Sequence, residues 1–171
     1  DYLQEPDIFH DVFGHVPMLC DPVFADYMVE YGRGGQRAAG LGQLEQLARL
    51  YWYTVEFGLL QTPGGLRICG AGIVSSATES VFALESPSPN RIGFDLERVM
   101  RTRYRIDDFQ QLYFVIPSLA ELLRVTLQDF APVYARLADQ PVLAIDAVVP
   151  GDRVLQRGDQ SRPRLATRSG R

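Results

Sequence analysis

The most apolar stretch of this sequence contains a carboxylate. Tyr51-Trp52-Tyr53-Thr54-Val55-Glu56-Phe57-Gly58-Leu59-Leu60 reads as a buried segment, with Glu56 in its middle. Taking an unpaired carboxylate out of water is costly even after relaxation, so a core folded around this stretch must supply a cation or a proton. The chain has no lysine, and the nearest arginine in sequence, Arg49, is seven residues away. Two partners remain open: a distant arginine in a structural ion pair, or a metal ion.

The only two histidines, His10 and His15, stand five apart in His-Asp-Val-Phe-Gly-His. On an uninterrupted α-helix that spacing turns the side chains about 140° apart, too far to share one small ion. The zincin pattern uses i and i+4 instead, so this is a different motif. A helix that ends at Gly14 would resolve the problem, with His15 swinging back from an exit stiffened by Pro17. Two histidines and one glutamate suit the facial triad of non-haem Fe(II) sites, which leaves open positions. They also suit zinc hydrolysis, for which Asp11 or Glu79 would have to be the general base. Spacing does not decide between them.

Along the chain, Glu5-Pro6-Asp7 signals a helix start and Gly14 its stop. Asp21-Pro22 opens a short helix with Val23, Phe24, Tyr27, Met28 and Tyr31 at helical spacing, and the glycine-rich 32–42 reads as a loop. The longest helix is expected over 43–60, buried because it is apolar nearly all round. Pro63-Gly64-Gly65 is a turn, and short strands or a tight bend are expected at 66–69 and 73–74. Further helices are expected over 76–84, 95–101, 119–126 and 130–137, the first ended by Ser-Pro-Ser-Pro. The sum is a mainly α fold with a small β element in one domain over 1–149. Residues 150–171 are rich in Arg, Asp, Gly, Ser and Pro and are expected to be a disordered, solvated tail.

Composition excludes several classes. A net charge of -4 argues against nucleic acid or an anionic membrane as partner. No apolar run approaches the roughly 20 residues of a membrane helix, and no secretory signal pattern is present. Cys20 and Cys69 lack CxxC spacing and are expected reduced and buried, in the cytoplasm. A monomer is the default expectation.

The block YLQEPDIFHDVFGHVP at 2–17 is similar to the signature of the pterin-dependent aromatic amino acid hydroxylases. YWYTVEFGL, GAGIVSSATES at 70–80 and RYRIDDFQ at 103–110 resemble further blocks of that family, the last of its bacterial branch. The resemblance covers roughly residues 1 to 140. It implies the hydroxylase catalytic fold, incomplete at the N-terminus, and a monooxygenase that uses Fe(II), O2 and a tetrahydropterin to hydroxylate a free aromatic amino acid. Phenylalanine, hydroxylated at the ring 4-position, is the favoured substrate; tyrosine, tryptophan, or a non-catalytic metal-binding remnant are the alternatives.

By the same resemblance His10, His15 and Glu56 are the iron ligands, and no catalytic side chain is expected beyond them. Ser75 and Asp7 would support those ligands from behind. Tyr2, Pro6, Asp11, Tyr51, Trp52 and Phe57 would shape the pocket, with Tyr51 toward iron and pterin, Trp52 toward the amino acid and Asp11 near the pterin. Simple core packing is the competing reading of the aromatic rings. Ala77-Thr78 replaces the family's usual Phe-Gly, which is expected to reshape the pocket wall. The family's pterin-stacking ring and carboxylate-clamping arginine precede the first ligand, outside this chain. These residues alone are therefore expected to bind iron with little turnover.

Overall fold

The computed structural model describes residues 8–161. A wide π-helical turn, π1 (His10–His15), runs into α1 (Val16–Met18). Then follow α2 (Pro22–Leu41), α3 (Leu44–Tyr51), a second wide turn π2 (Trp52–Glu56), and the hairpin of β1 (Leu59–Thr62) and β2 (Gly65–Ile68). Next come α4 (Ala71–Val74), α5 (Ala77–Glu85), β3 (Asn90–Gly93), α6 (Leu96–Met100), β4 (Leu112–Ile116), α7 (Leu119–Thr126), α8 (Ala131–Leu137) and β5 (Val154–Gln156). The fold is mainly helical with one small mixed sheet, in line with expectation.

The sheet has the order β2-β1-β4-β3-β5. β4 pairs in parallel with β1 and β3, while the two outer pairs are antiparallel. Every residue of β4 is buried, which suits an unbroken run of Leu, Tyr, Phe, Val and Ile covered on both faces. Ile92, Leu112 and Phe114 join the helical core beside Leu47, Leu50 and Tyr53 of α3 and π2. α2 packs on α7, and α3 on α6. Among the described residues no helix is long and apolar enough to cross a membrane.

Four expectations about the chain beyond Asp21 fail. The helix begun by Asp21-Pro22 does not stop at the glycines but continues to Leu41. Asp21 caps it by accepting from the Val23 and Phe24 amides, and Gly42 closes it at φ 69°, in the left-handed region glycine favours. Phe24, Tyr27, Gly34 and Ala38 are buried, so the three–four spacing runs through the glycines and packing overrides their weak helix propensity. The helix expected over 43–60 ends at Glu56, and Leu59 already belongs to a strand. Ile73-Val74 lies in α4 rather than in a strand. Finally, the chain beyond 150 is ordered as far as it is described. β5 pairs with β3, and the Asp152 carboxylate takes the buried Arg98 guanidinium at 2.9 Å.

The cysteines are both free, as expected, but the expected burial fails for Cys20 and is only partial for Cys69. Cys20 is exposed, while the Cys69 thiol packs near Val55 and Tyr27.

Candidate metal centre

The two wide turns bring the site together. In π1 the Val16 amide donates to the Asp11 carbonyl, and in π2 the Phe57 amide donates to that of Trp52 at 2.8 Å. Both bonds reach back five residues. A turn of that width stacks residues five apart, where an α-helix would splay them. His10 therefore sits over His15, and Tyr51 shares a face with Glu56. The expected helix stop at Gly14 is thus replaced by a wider turn that continues through His15. Gly14 serves another purpose: it is buried against α4, where a Cβ would meet Ala71 Cβ at 3.0 Å.

His10 Nε2 and His15 Nε2 are 2.9 Å apart. Glu56 Oε2 is 3.5 Å from His10 Nε2, and Oε1 is 3.2 Å from His15 Nε2. Among the described residues these three form the group of His, Cys, Asp and Glu donors able to hold a metal ion, all within 4.8 Å of one another. Three donors at right angles around an ion, each about 2.1 Å from it, would be about 3.0 Å apart. The observed spacing fits such a face, and one face of donors leaves the opposite positions open.

α4 clamps both turns. Ser75 Oγ lies 2.9 Å from His10 Nδ1 and donates its one proton to the Ala71 carbonyl, also at 2.9 Å. Toward the imidazole the hydroxyl is then an acceptor, so Nδ1 carries the proton and Nε2 presents a lone pair to the cluster. The Gly72 amide donates to the Glu56 carboxylate, as does the Tyr51 hydroxyl. Gly70 and Gly72 are pressed on the Glu56 backbone: a Cβ on either would lie 2.2 and 3.1 Å from its carbonyl oxygen. The Gly-Ala-Gly at 70–72 is therefore where two turns and a helix meet without side chains.

Electrostatics follow from burial. Desolvation pushes the Glu56 carboxyl up; the facing His10 and the Tyr51 and Gly72 hydrogen bonds oppose it, while nearby Asp11 adds to it. Burial holds His15 below the ordinary imidazole value, with Asp11 acting against it. Burial and then the Glu56 charge raise the Tyr51 phenol to about 12. A lowered His15 offers a lone pair, and a carboxylate made unfavourable by burial is what a cation would relieve.

The remaining sequence-derived residues divide. Asp11 is exposed and close enough to act electrostatically on His15, Tyr51 and Glu56. Trp52 stacks on Phe57 and Tyr104, with centroids at 4.7 and 4.3 Å, and donates Nε1 to Gln110 Oε1. Phe57 is buried and packs against Gly72. Much of both rings is core packing. Glu79, the other base a hydrolase would need, is outside the cluster and bound to Tyr113 and Gln110. Tyr2, Pro6 and Asp7 lie outside the described residues. Sequence reasoning missed the Gly72 amide and the Ala71–Gly14 contact; the Gly-Ala-Gly triplet was the available signal, since adjacent glycines mark close backbone approach.

Residues 1–140 match the family model described as biopterin-dependent aromatic amino acid hydroxylase. The chain is 71% identical over 171 residues to the phenylalanine-4-hydroxylase of Caulobacter vibrioides, covering all of this chain and 57% of that one. It is 65% identical over 158 residues to that of Ralstonia nicotianae, covering 92% of this chain and 50% of the relative. The iron- and phenylalanine-bound structure of the Chromobacterium violaceum phenylalanine hydroxylase matches with a TM-score of 0.87 and 60% identity, over 88% of this chain and 56% of that one. The cobalt-bound form matches with a TM-score of 0.88 and 62% identity, over 91% and 56%. The chain spans about half the length of the relatives it matches.

Proposed function

Because this chain belongs to the biopterin-dependent aromatic amino acid hydroxylases, we propose that it is the iron-holding part of a phenylalanine 4-monooxygenase that uses Fe(II), O2 and a tetrahydropterin. The observation that carries this reading is the convergence of His10 Nε2, His15 Nε2 and the Glu56 carboxylate on one small volume. When bound, the metal and the pterin would supply the activation of dioxygen that ring hydroxylation needs. The relatives named for phenylalanine support that substrate over tyrosine or tryptophan. Two unpaired thiols, Cys20 and Cys69, support a reducing, cytoplasmic setting.

The chain's own side chains would act by holding and orienting. Ser75 fixes the tautomer and plane of His10, so that its lone pair needs no reorganisation on binding. Tyr51 and the Gly72 amide fix the carboxylate. Trp52 and Phe57 form an aromatic wall next to the ligand turn, of the kind an aromatic amino acid packs against. Asp11, exposed and near enough to act on His15, Tyr51 and Glu56, adds negative charge beside the cluster.

The test has two stages. Fe(II) is titrated into the chain and into its His10→Ala, His15→Ala and Glu56→Ala variants; about one iron per chain is expected, lost in each variant. Phenylalanine, tetrahydropterin and air are then added, and tyrosine is expected only slowly, in line with the little turnover expected of these residues alone. Iron that survives all three substitutions overturns the site. Product from tyrosine or tryptophan alone replaces the substrate. Iron binding with no product from any of the three reduces the chain to a metal-binding module.

A further inference from the structure

Wide turns are rare, and one that shapes a ligand site needs something to hold it open. For π1 the packing of Gly14 on Ala71 does so. π2 is held differently. The Thr54 hydroxyl donates to the Leu50 carbonyl at 2.6 Å, a bond four residues back along the chain. Such back-bonds bend helices and compete with the regular ladder. Thr54 has one proton and spends it on Leu50, so the Tyr27 hydroxyl, 2.9 Å from Thr54 Oγ1, is the donor there. Both residues are buried to 1% exposure. Burial pushes the Tyr27 phenol well above its ordinary range, which keeps it protonated and donating.

We propose that the Tyr27–Thr54 hydroxyl pair is a positioning device for Glu56: it fixes the wide turn that puts the carboxylate beside Tyr51 and opposite the two histidines. The inference rests on the reading of Glu56 as a metal ligand. Its logic is geometric. Leu50 lies one residue before Tyr51 and Thr54 two before Glu56, so a bond between them spans the start of the turn. Without it the segment is free to relax toward α-helical spacing, which would set the Glu56 and Tyr51 side chains roughly 140° apart. Tyr27 belongs to α2, which supplies none of the three donors. The bond therefore registers the longest helix against the ligand turn.

Co(II) is the probe, added to the full chain, with the visible absorption of the bound ion as readout. Thr54→Val removes the hydroxyl and keeps the branched shape; Thr54→Ser keeps the hydroxyl; Tyr27→Phe removes the donor from the other side. Wild type and Thr54→Ser are expected to bind with the same spectrum. Thr54→Val and Tyr27→Phe should bind about tenfold or more weakly with a changed spectrum, as for other groups that support a ligand from behind. If both variants keep affinity and spectrum and merely melt earlier, the hydroxyls only pack and the proposal is overturned. Should Thr54→Val not fold, Tyr27→Phe carries the same comparison. His10→Ala is the control: Co(II) binding that ignores it would overturn the underlying site and this proposal with it, whereas lost binding there beside unchanged Tyr27→Phe overturns the positioning role alone.

Discussion

His10 Nε2 and His15 Nε2 lie 2.9 Å apart, although an α-helix would point these two side chains in widely different directions. The wide turn that brings them together also leaves both rings half-exposed, edge to face at 81°, with their nitrogens directed at one carboxylate. Two imidazole lone pairs at this separation repel unless a proton or a cation lies between them. A proton on one of the two nitrogens or a shared cation satisfies the pair, and a cation would also relieve the Glu56 carboxylate across from them.

Ser75→Ala removes the acceptor that holds the proton on His10 Nδ1. Metal retention is expected to fall roughly 10–100-fold, because the ring becomes free to rotate and to exchange tautomers. Helical content by circular dichroism should hardly change. Normal metal affinity in a variant that melts much earlier would assign Ser75 to packing instead.

What the sequence made legible followed from chemistry that is independent of fold. Glu56 in an apolar run demands a positive partner, and with two histidines in the chain the candidates were few. Helix starts were legible where a side chain caps them, as at Ser76, Asp95 and Ser118. The wide turns were not, since the pattern of five-residue spacing is equally consistent with a helix stop; only the packing of Gly14 on Ala71 decides. Nor was α2 beyond Tyr31, where local glycine preference conflicts with a spacing that tertiary contacts reward. β3 and β5 fail for a related reason: their pairing joins Ile92 to Val154 across more than sixty residues, and nothing local announces it.

Gly70→Ala tests how closely α4 sits on the ligand turn. A Cβ there would lie 2.2 Å from the Glu56 carbonyl oxygen and 2.7 Å from the Gly58 amide nitrogen, and both are backbone. One of the two segments must move. Overpacking of this kind costs about 1–3 kcal/mol, and it should weaken metal binding as well because the displaced residue carries the carboxylate. Urea unfolding and metal titration measure the two effects; a variant unchanged in both would mean the segments are free to part.

The two thiols should separate cleanly by reactivity. Cys20 is exposed, whereas burial pushes the Cys69 thiol up to about 12, far above working pH. At pH 8 a disulfide reagent should titrate one thiol per chain rapidly, and the second only after denaturant is added. Cys20→Ser should abolish the fast phase. A fast phase of two thiols would show that the packing around Cys69 opens readily.

Glu79 gives the fold a pH dependence of its own, apart from the metal centre. Its side chain is buried, with Oε1 accepting from the Tyr113 hydroxyl at 2.8 Å and from the Gln110 amide, while Oε2 is buried without a hydrogen-bond partner. Burial is the main cause that raises its pKa from 4.5 to about 7; the two hydrogen bonds act against the rise and Asp108 adds to it. Between those two values the folded chain keeps a proton that the unfolded chain has released, so stability falls as pH rises through this window. Below pH 4.5 and above about 7 the contribution is flat. Each pKa unit corresponds to about 1.4 kcal/mol, so the loss across the window is on the order of 3 kcal/mol. Glu79→Gln retains an acceptor for Tyr113 and Gln110 but has no proton to lose. The variant is expected to match wild type near pH 4.5 and to exceed it by a few kcal/mol at pH 8. Urea unfolding at unit steps from pH 5 to 8 measures this directly; wild type and variant running parallel across that range would mean that Glu79 is already ionised in the folded chain and that its burial is relieved in some other way.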